Sequence, residues 1–131
     1  MLGACRISES IQLTQFKDLG LADDLLRAVS DEGYTIPTPI QTRVIPAMLA
    51  KEDVLGTAQT GTGKTAAFVL PLLQQMIDQP SSHNRKGCRA LILAPTRELA
   101  AQIADSIRTY GRHSRASVVV VVGGVRPGPQ I

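Results

Sequence analysis

Tryptophan is absent from the 131 residues, and with two tyrosines and two phenylalanines the aromatic share is only 3%. A sheet that stacks on exposed nucleobases needs more rings than that, which excludes an RNA platform of the RRM type. Cysteine is equally scarce: Cys5 and Cys88 lie far apart, with no second Cys or His at metal-ligand spacing. A disulfide scaffold and a zinc ribbon are thereby excluded, and a reduced, cytoplasmic setting is expected. Long apolar runs are also missing. The longest centres on Val118 to Val122, far short of the roughly 20 residues that cross a bilayer. Net charge is +3, a mild excess that suits an anionic partner but is no polybasic tail.

What remains is an ordinary globular composition of 44% apolar and 19% charged residues, about enough for one domain. Leu21, Leu25 and Val29 repeat at four-residue spacing opposite Asp23, Asp24, Arg27 and Asp31, with Gly33 in the stop position. That pattern predicts an amphipathic helix, its acidic residues forming a solvated face. Thr38-Pro39 opens a second helix through Ile40, Val44 and Met48, which Pro46 should bend. Residues 53–58 read as a strand leading into a glycine-bearing turn, and a third helix follows over about 64–78, apolar enough around its circumference to lie between layers. A polar loop at 80–87 is expected to be exposed. After it come a strand at 89–94, a helix carrying Leu99, Ile103, Ile107 and Tyr110, and a valine strand at 117–122. Strands alternating with helices predict right-handed βαβ units: an α/β fold, a parallel sheet with flanking helices, covered on both faces.

One segment carries recognisable chemistry. Ala58, Gln59, Thr60, Gly61, Thr62, Gly63, Lys64 and Thr65 spell AQTGTGKT between a strand and a helix. Gly61 and Gly63 permit backbone N–H groups to turn inward around phosphate oxygens. Lys64 places an ammonium on the β and γ oxygens, Thr65 offers a hydroxyl to Mg²⁺, and the helix that follows points its positive end at the same anion. ATP with Mg²⁺ is the expected ligand and Lys64 the expected catalytic side chain, although Ala58 rather than Gly opens the motif. A P-loop small-molecule kinase or a GTPase shares this loop, but no N-K-x-D guanine signature occurs.

Two further segments stand in order around the loop: GYTIPTPIQ over Gly33 to Gln41, and PTRELA over Pro95 to Ala100. With AQTGTGKT they resemble the DEAD-box ATP-dependent RNA helicases, bacterial members above all, from Phe16 onward. The resemblance implies an incomplete RecA-like P-loop NTPase domain over residues 16–131, preceded by a poorly ordered extension at 1–15. The Gln41 amide both donates and accepts, which suits the N6/N7 edge of adenine; an exposed polar role is the alternative. Phe16 corresponds to the family aromatic that stacks on adenine, or else anchors the core. Tyr34 is expected to pack between the first two helices. By the same resemblance Pro95, Thr96, Arg97, Gly123 and Gly124 touch an RNA backbone, with little sequence preference and marked salt sensitivity. Thr96 could equally be a helix cap, and Gly123-Gly124 a plain turn. His83, His113, Arg85, Lys86, Arg112 and Arg115 receive no role.

The sequence holds no D-E-A-D or comparable acidic pair after a strand and no S-A-T segment. The family also uses arginines of a second RecA-like domain, so this chain is expected to hold ATP without RNA-stimulated hydrolysis. It reads as a fragment of a helicase or as a non-catalytic ATP- and RNA-binding module. RNA is the expected partner; no membrane partner is.

Overall fold

The computed structural model describes residues 14–80 and 87–124. The expectations for residues 1–13, for Cys5, for the 81–86 stretch with His83, Arg85 and Lys86, and for the RPGPQI ending lie outside those residues.

A 3-10 turn over Phe16–Leu19 leads into four helices: α1 Asp23–Asp31, α2 Pro39–Leu49, α3 Lys64–Asp78 and α4 Arg97–Tyr110. Each start follows from its local chemistry. Asp23 and Asp24 put negative charge on the first turn of α1, and the Ala22 N–H is taken by the buried Gln74 Oε1 of α3 at 2.6 Å. Thr38 and Pro39 open α2, where Gln41 Oε1 accepts from the Thr38 N–H at 2.9 Å. Thr96 caps α4, its hydroxyl accepting from Leu99 N–H at 3.2 Å.

α3 is the centre of the packing. α2 lies most extensively against it, α1 and α4 take its other flanks, and Val69, Leu70 and Leu73 are at most 1% exposed. α3 continues through the buried Pro71 as α2 continues through Pro46, because burial of the surrounding apolar side chains outweighs the hydrogen bond each proline removes. Three polar ties fix the arrangement. Gln74 joins α3 to α1, Gln75 Nε2 donates to the Met48 carbonyl at the end of α2 (2.7 Å), and the Arg89 guanidinium donates to Met76 and Gln79 carbonyls at the negative end of α3.

The predicted strands are only half realised. Residues 89–94 and 116–122 alternate with period two: Ile92, Ala94, Ala116 and Val118 pack on the helical core, whereas Leu91, Leu93, Val119 and Val121 are 64–85% exposed. Residues 53–57 are exposed throughout, with Leu55 at 94%. No strand ladder forms among the described residues. The helices therefore cover one side of these segments, not the two sides expected. An unbroken apolar strand states that both faces prefer burial, but the segments that bury them are decided by tertiary contacts.

Two side-chain expectations also change. Tyr34 is 54% exposed rather than wedged between helices; it lies close enough to Tyr110 to help raise the pKa of that phenol, after the larger effect of burial. The acidic end of α1 is not simply solvated. Arg112 pairs with Glu32, and His113 Nε2 meets Asp31 Oδ2 at 2.8 Å, tying α1 to the turn after α4. A single sequence cannot show this contact, since the partners lie about 80 positions apart.

The hydrogen bond to His113 holds the Asp31 carboxyl below its usual range, helped by the charges of His113, Arg112 and Arg27 and opposed by desolvation. A depressed carboxyl pKa stabilises the fold above the unfolded value near 4, and this contribution disappears as pH falls through the folded value. Wild type is therefore expected to exceed Asp31→Asn in urea midpoint at neutral pH and to converge with it below about pH 4. A gap that persists in acid would show that the carboxylate is not its source.

Candidate functional site

Three segments singled out in the sequence follow extended stretches: 58–63 after 53–57, 95–97 after 89–94, and 123–124 after 117–122; GYTIPTPIQ instead runs from the end of α1 into α2. In an open α/β arrangement that edge is where ligand crevices form.

The loop at 58–65 is built around the start of α3. Gly61 (φ 80°) and Gly63 (φ 78°) are both left-handed, a backbone that other residues adopt at a cost. Gly63 is the N-cap of α3, and no side chain caps it. The first-turn N–H groups are thus left for an external acceptor. Lys64 is turned into the loop, where its Nζ donates to the Ala58 carbonyl, and Thr62 Oγ1 closes the same turn onto the Gln59 carbonyl at 2.8 Å. Gln59, Thr60 and Gly61 form the exposed rim, with Ala58 and Thr65 half-buried.

Gln41 reaches this loop from α2. Its Nε2 donates to the Gly63 carbonyl at 3.1 Å while its Oε1 caps α2, and the side chain is 6% exposed. A Cβ on Gly63 would lie 2.4 Å from Gln41 Nε2, so the glycine is needed for this approach as well as for its φ. Thr38 Oγ1 lies beside the same contact, buried and without a hydrogen-bond partner among the described residues. The GYTIPTPIQ segment is thereby mechanically joined to the loop at 58–65, a tie that spacing alone does not reveal. An amide has two N–H donors and two acceptor lone pairs; these contacts use one of each, and one of each remains.

Phe16 lies in the hydrophobic core at 6% exposure. Packing accounts for the ring in this arrangement, and stacking on a base would require the 3-10 turn to move. Two clefts of about 600 and 630 Å³ flank the loop. Lys64 and Thr65 edge the first, otherwise lined largely by apolar side chains such as Val44, Phe68 and Leu91; Thr38, Arg43 and Thr62 edge the second. Among the described residues no group of three or more His, Cys, Asp or Glu side chains is placed to hold a metal ion.

Arg97, in the first turn of α4, meets Gly124 across 27 positions of sequence: a Cβ there would lie 2.8 Å from Arg97 Nη2. Thr96 is the α4 cap, Pro95 is exposed, and nothing approaches the Cβ position of Gly123 within 4 Å. No described helix is long and apolar enough to cross a membrane.

The chain is similar to known proteins. The sequence profile of the DEAD/DEAH box helicase family matches residues 38–131. The chain is 48% identical over 109 residues to the DEAD-box ATP-dependent RNA helicase RhpA of Helicobacter pylori (83% of this chain, 21% of the relative). It is 47% identical over 113 residues to the ATP-dependent RNA helicase SrmB of Escherichia coli (86% and 25%), and 47% over 128 residues to DeaD of the same species (90% and 20%). The chain thus spans about a fifth to a quarter of these relatives. Among solved structures it resembles the RNA helicase Prp28 of Chaetomium thermophilum bound to ADP, with TM-score 0.78 and 43% identity over 88% of this chain and 28% of that one. A DEAD box protein from Methanococcus jannaschii gives TM-score 0.73 and 38% identity over 88% and 31%. This likeness places the four helices and three extended segments in the α/β, RecA-like class expected from the sequence. With the family profile matching residues 38–131, most of its length, and these relatives 47–48% identical, the chain belongs to the DEAD/DEAH box helicase family.

Proposed function

We propose that residues 16–131 form the N-terminal part of a RecA-like ATP-binding domain in a cytoplasmic ATP-dependent RNA helicase, with 1–15 as an extension, and that ATP and RNA-backbone binding are this chain's share of the activity. The observation that carries this is the uncapped start of α3, with left-handed Gly61 and Gly63 before it and Lys64 turned inward. Ala58, Gln59, Thr60, Gly61, Thr62 and Gly63 wrap the β- and γ-phosphates with backbone N–H groups. Lys64 leaves the Ala58 carbonyl for the phosphate oxygens, a stronger, charge-assisted partner. The Thr65 hydroxyl would help hold a Mg²⁺ ion bound with the nucleotide, and that ion would supply neutralisation of phosphate charge. The remaining N–H and lone pair of Gln41 match adenine N7 and N6, and Phe16 contributes a ring beneath the base if its turn opens on binding. Pro95, Thr96, Arg97, Gly123 and Gly124 face the RNA backbone. In the whole protein, nucleotide-dependent closure on RNA separates strands.

The test is isothermal titration with ATP and GTP. Wild type is expected to prefer ATP, and Gln41→Ala to lose about tenfold in ATP affinity, one hydrogen bond to a buried polar ligand being worth about 1.4 kcal/mol. The preference for ATP over GTP should shrink with it. Equal losses for both nucleotides would mean that Gln41 only supports the loop and does not read the base.

A further inference from the structure

Resting on the RNA-binding function proposed above, we infer that Gly124 is a positioning residue that acts through Arg97, giving its guanidinium a seat at the edge where RNA phosphates pass. Gly124 and Gly123 are adjacent in sequence but differ in surroundings. Gly124 has φ 82°, and its missing Cβ is what allows Arg97 Nη2 to approach, whereas the corresponding space at Gly123 is open. A role in letting RNA lie close would apply to both glycines alike. Only Gly124 has a functional side chain filling the space.

Arg97 needs such a seat. It extends from the first turn of α4, is exposed, and no acidic side chain pairs with it among the described residues. A long, unpaired side chain loses substantial rotamer freedom when it binds a phosphate. Contact with the Gly124 backbone reduces the arrangements open to the guanidinium before RNA arrives, so less freedom remains to be lost. The segment at 116–122, fixed through Ala116 and Val118 on the helical core, carries the seat to α4. The phosphate loop uses the same device, with Gly63 receiving Gln41.

An alanine at 124 would displace the tip of Arg97 as well as strain the left-handed backbone. The experiment measures binding of the whole chain to a short fluorescein-labelled oligouridylate between about 50 and 200 mM salt, for wild type, Arg97→Ala, Gly124→Ala, Gly123→Ala and the two double variants. Circular dichroism checks folding. Arg97→Ala should lose about tenfold and flatten the log-log salt slope by about 0.7, the value for one phosphate contact on a single strand. Gly124→Ala should reproduce most of both effects and add less than about twofold on top of Arg97→Ala, because both remove one interaction. Gly123→Ala and Arg97→Ala should multiply.

In the free chain, nuclear Overhauser contacts between the Gly124 α-protons and the Arg97 side chain should be present in the wild type. Their absence, or losses for Gly124→Ala and Arg97→Ala that multiply, would overturn the seat while leaving RNA binding by Arg97 intact. Wild-type RNA affinity that Arg97→Ala does not change would overturn the RNA-binding function itself, and the role of Gly124 with it, even with the Overhauser contacts in place.

Discussion

Lys64→Ala is expected to weaken ATP and ADP binding by about 30- to 1,000-fold, while affinity for AMP stays within about twofold of wild type. The magnitude follows from one ammonium bridging two phosphates: each charge-assisted contact is worth about 1–2 kcal/mol net, and every 1.4 kcal/mol is tenfold. The selectivity follows from position, because Lys64 begins α3 and is turned toward the loop interior onto the Ala58 carbonyl. AMP has neither of the phosphates that draw it away. The variant should fold normally, since Lys64 is only half-buried and packs no core. Titration calorimetry with the three nucleotides, beside a denaturation curve, decides the matter. Equal losses for AMP and ATP would place the lysine elsewhere than on the β- and γ-phosphates.

Leu70→Ala should lower stability by about 2–5 kcal/mol, a large part of the 5–15 kcal/mol that holds a typical domain together. Leu70 has no exposed surface and lies in the middle of α3, the helix that the other three surround. Truncation leaves a cavity that α1 and α2 cannot close without breaking their polar ties to Gln74 and Gln75. The urea midpoint read by far-UV circular dichroism should fall by more than about 1 M. ATP affinity should fall with the folded fraction, because the phosphate loop is continuous with α3. The contrast with Lys64→Ala is informative: one variant loses the ligand while folded, the other loses it by unfolding. A midpoint drop below about 0.5 M would show that α3 is not the centre of the core.

Much of this was legible in the residues. The apolar spacing of Leu25 and Val29, the Thr38-Pro39 start and the apolar circumference of α3 predicted helices that the structure contains, with boundaries shifted by a residue or two. The order of GYTIPTPIQ, AQTGTGKT and PTRELA carried the family, which the matched profile over 38–131 establishes. These are local signals: a helix start, a left-handed glycine and a motif are specified by neighbours within a few positions. The 3-10 turn at Phe16–Leu19 left no such signal, being too short for periodicity.

What required the tertiary structure was every relation between distant segments. Phe16 enters the core and Tyr34 stays exposed, the reverse of what a ligand-facing ring and a packed ring would give, because burial depends on which surfaces meet. Asp31 and Glu32 meet His113 and Arg112 only because α1 and α4 pack against each other beside α3. The valine segment has the right period for a strand, yet one side remains bare because period two fixes only that alternate residues share a face. The sequence by itself determined the glycine-bearing loop at 58–65 and its proposed phosphate chemistry, since both are local to eight consecutive residues. Only the tertiary structure decided that Gln41 supports the loop through Gly63 and that Arg97 rests on Gly124, because an absent Cβ acquires meaning from what occupies its place.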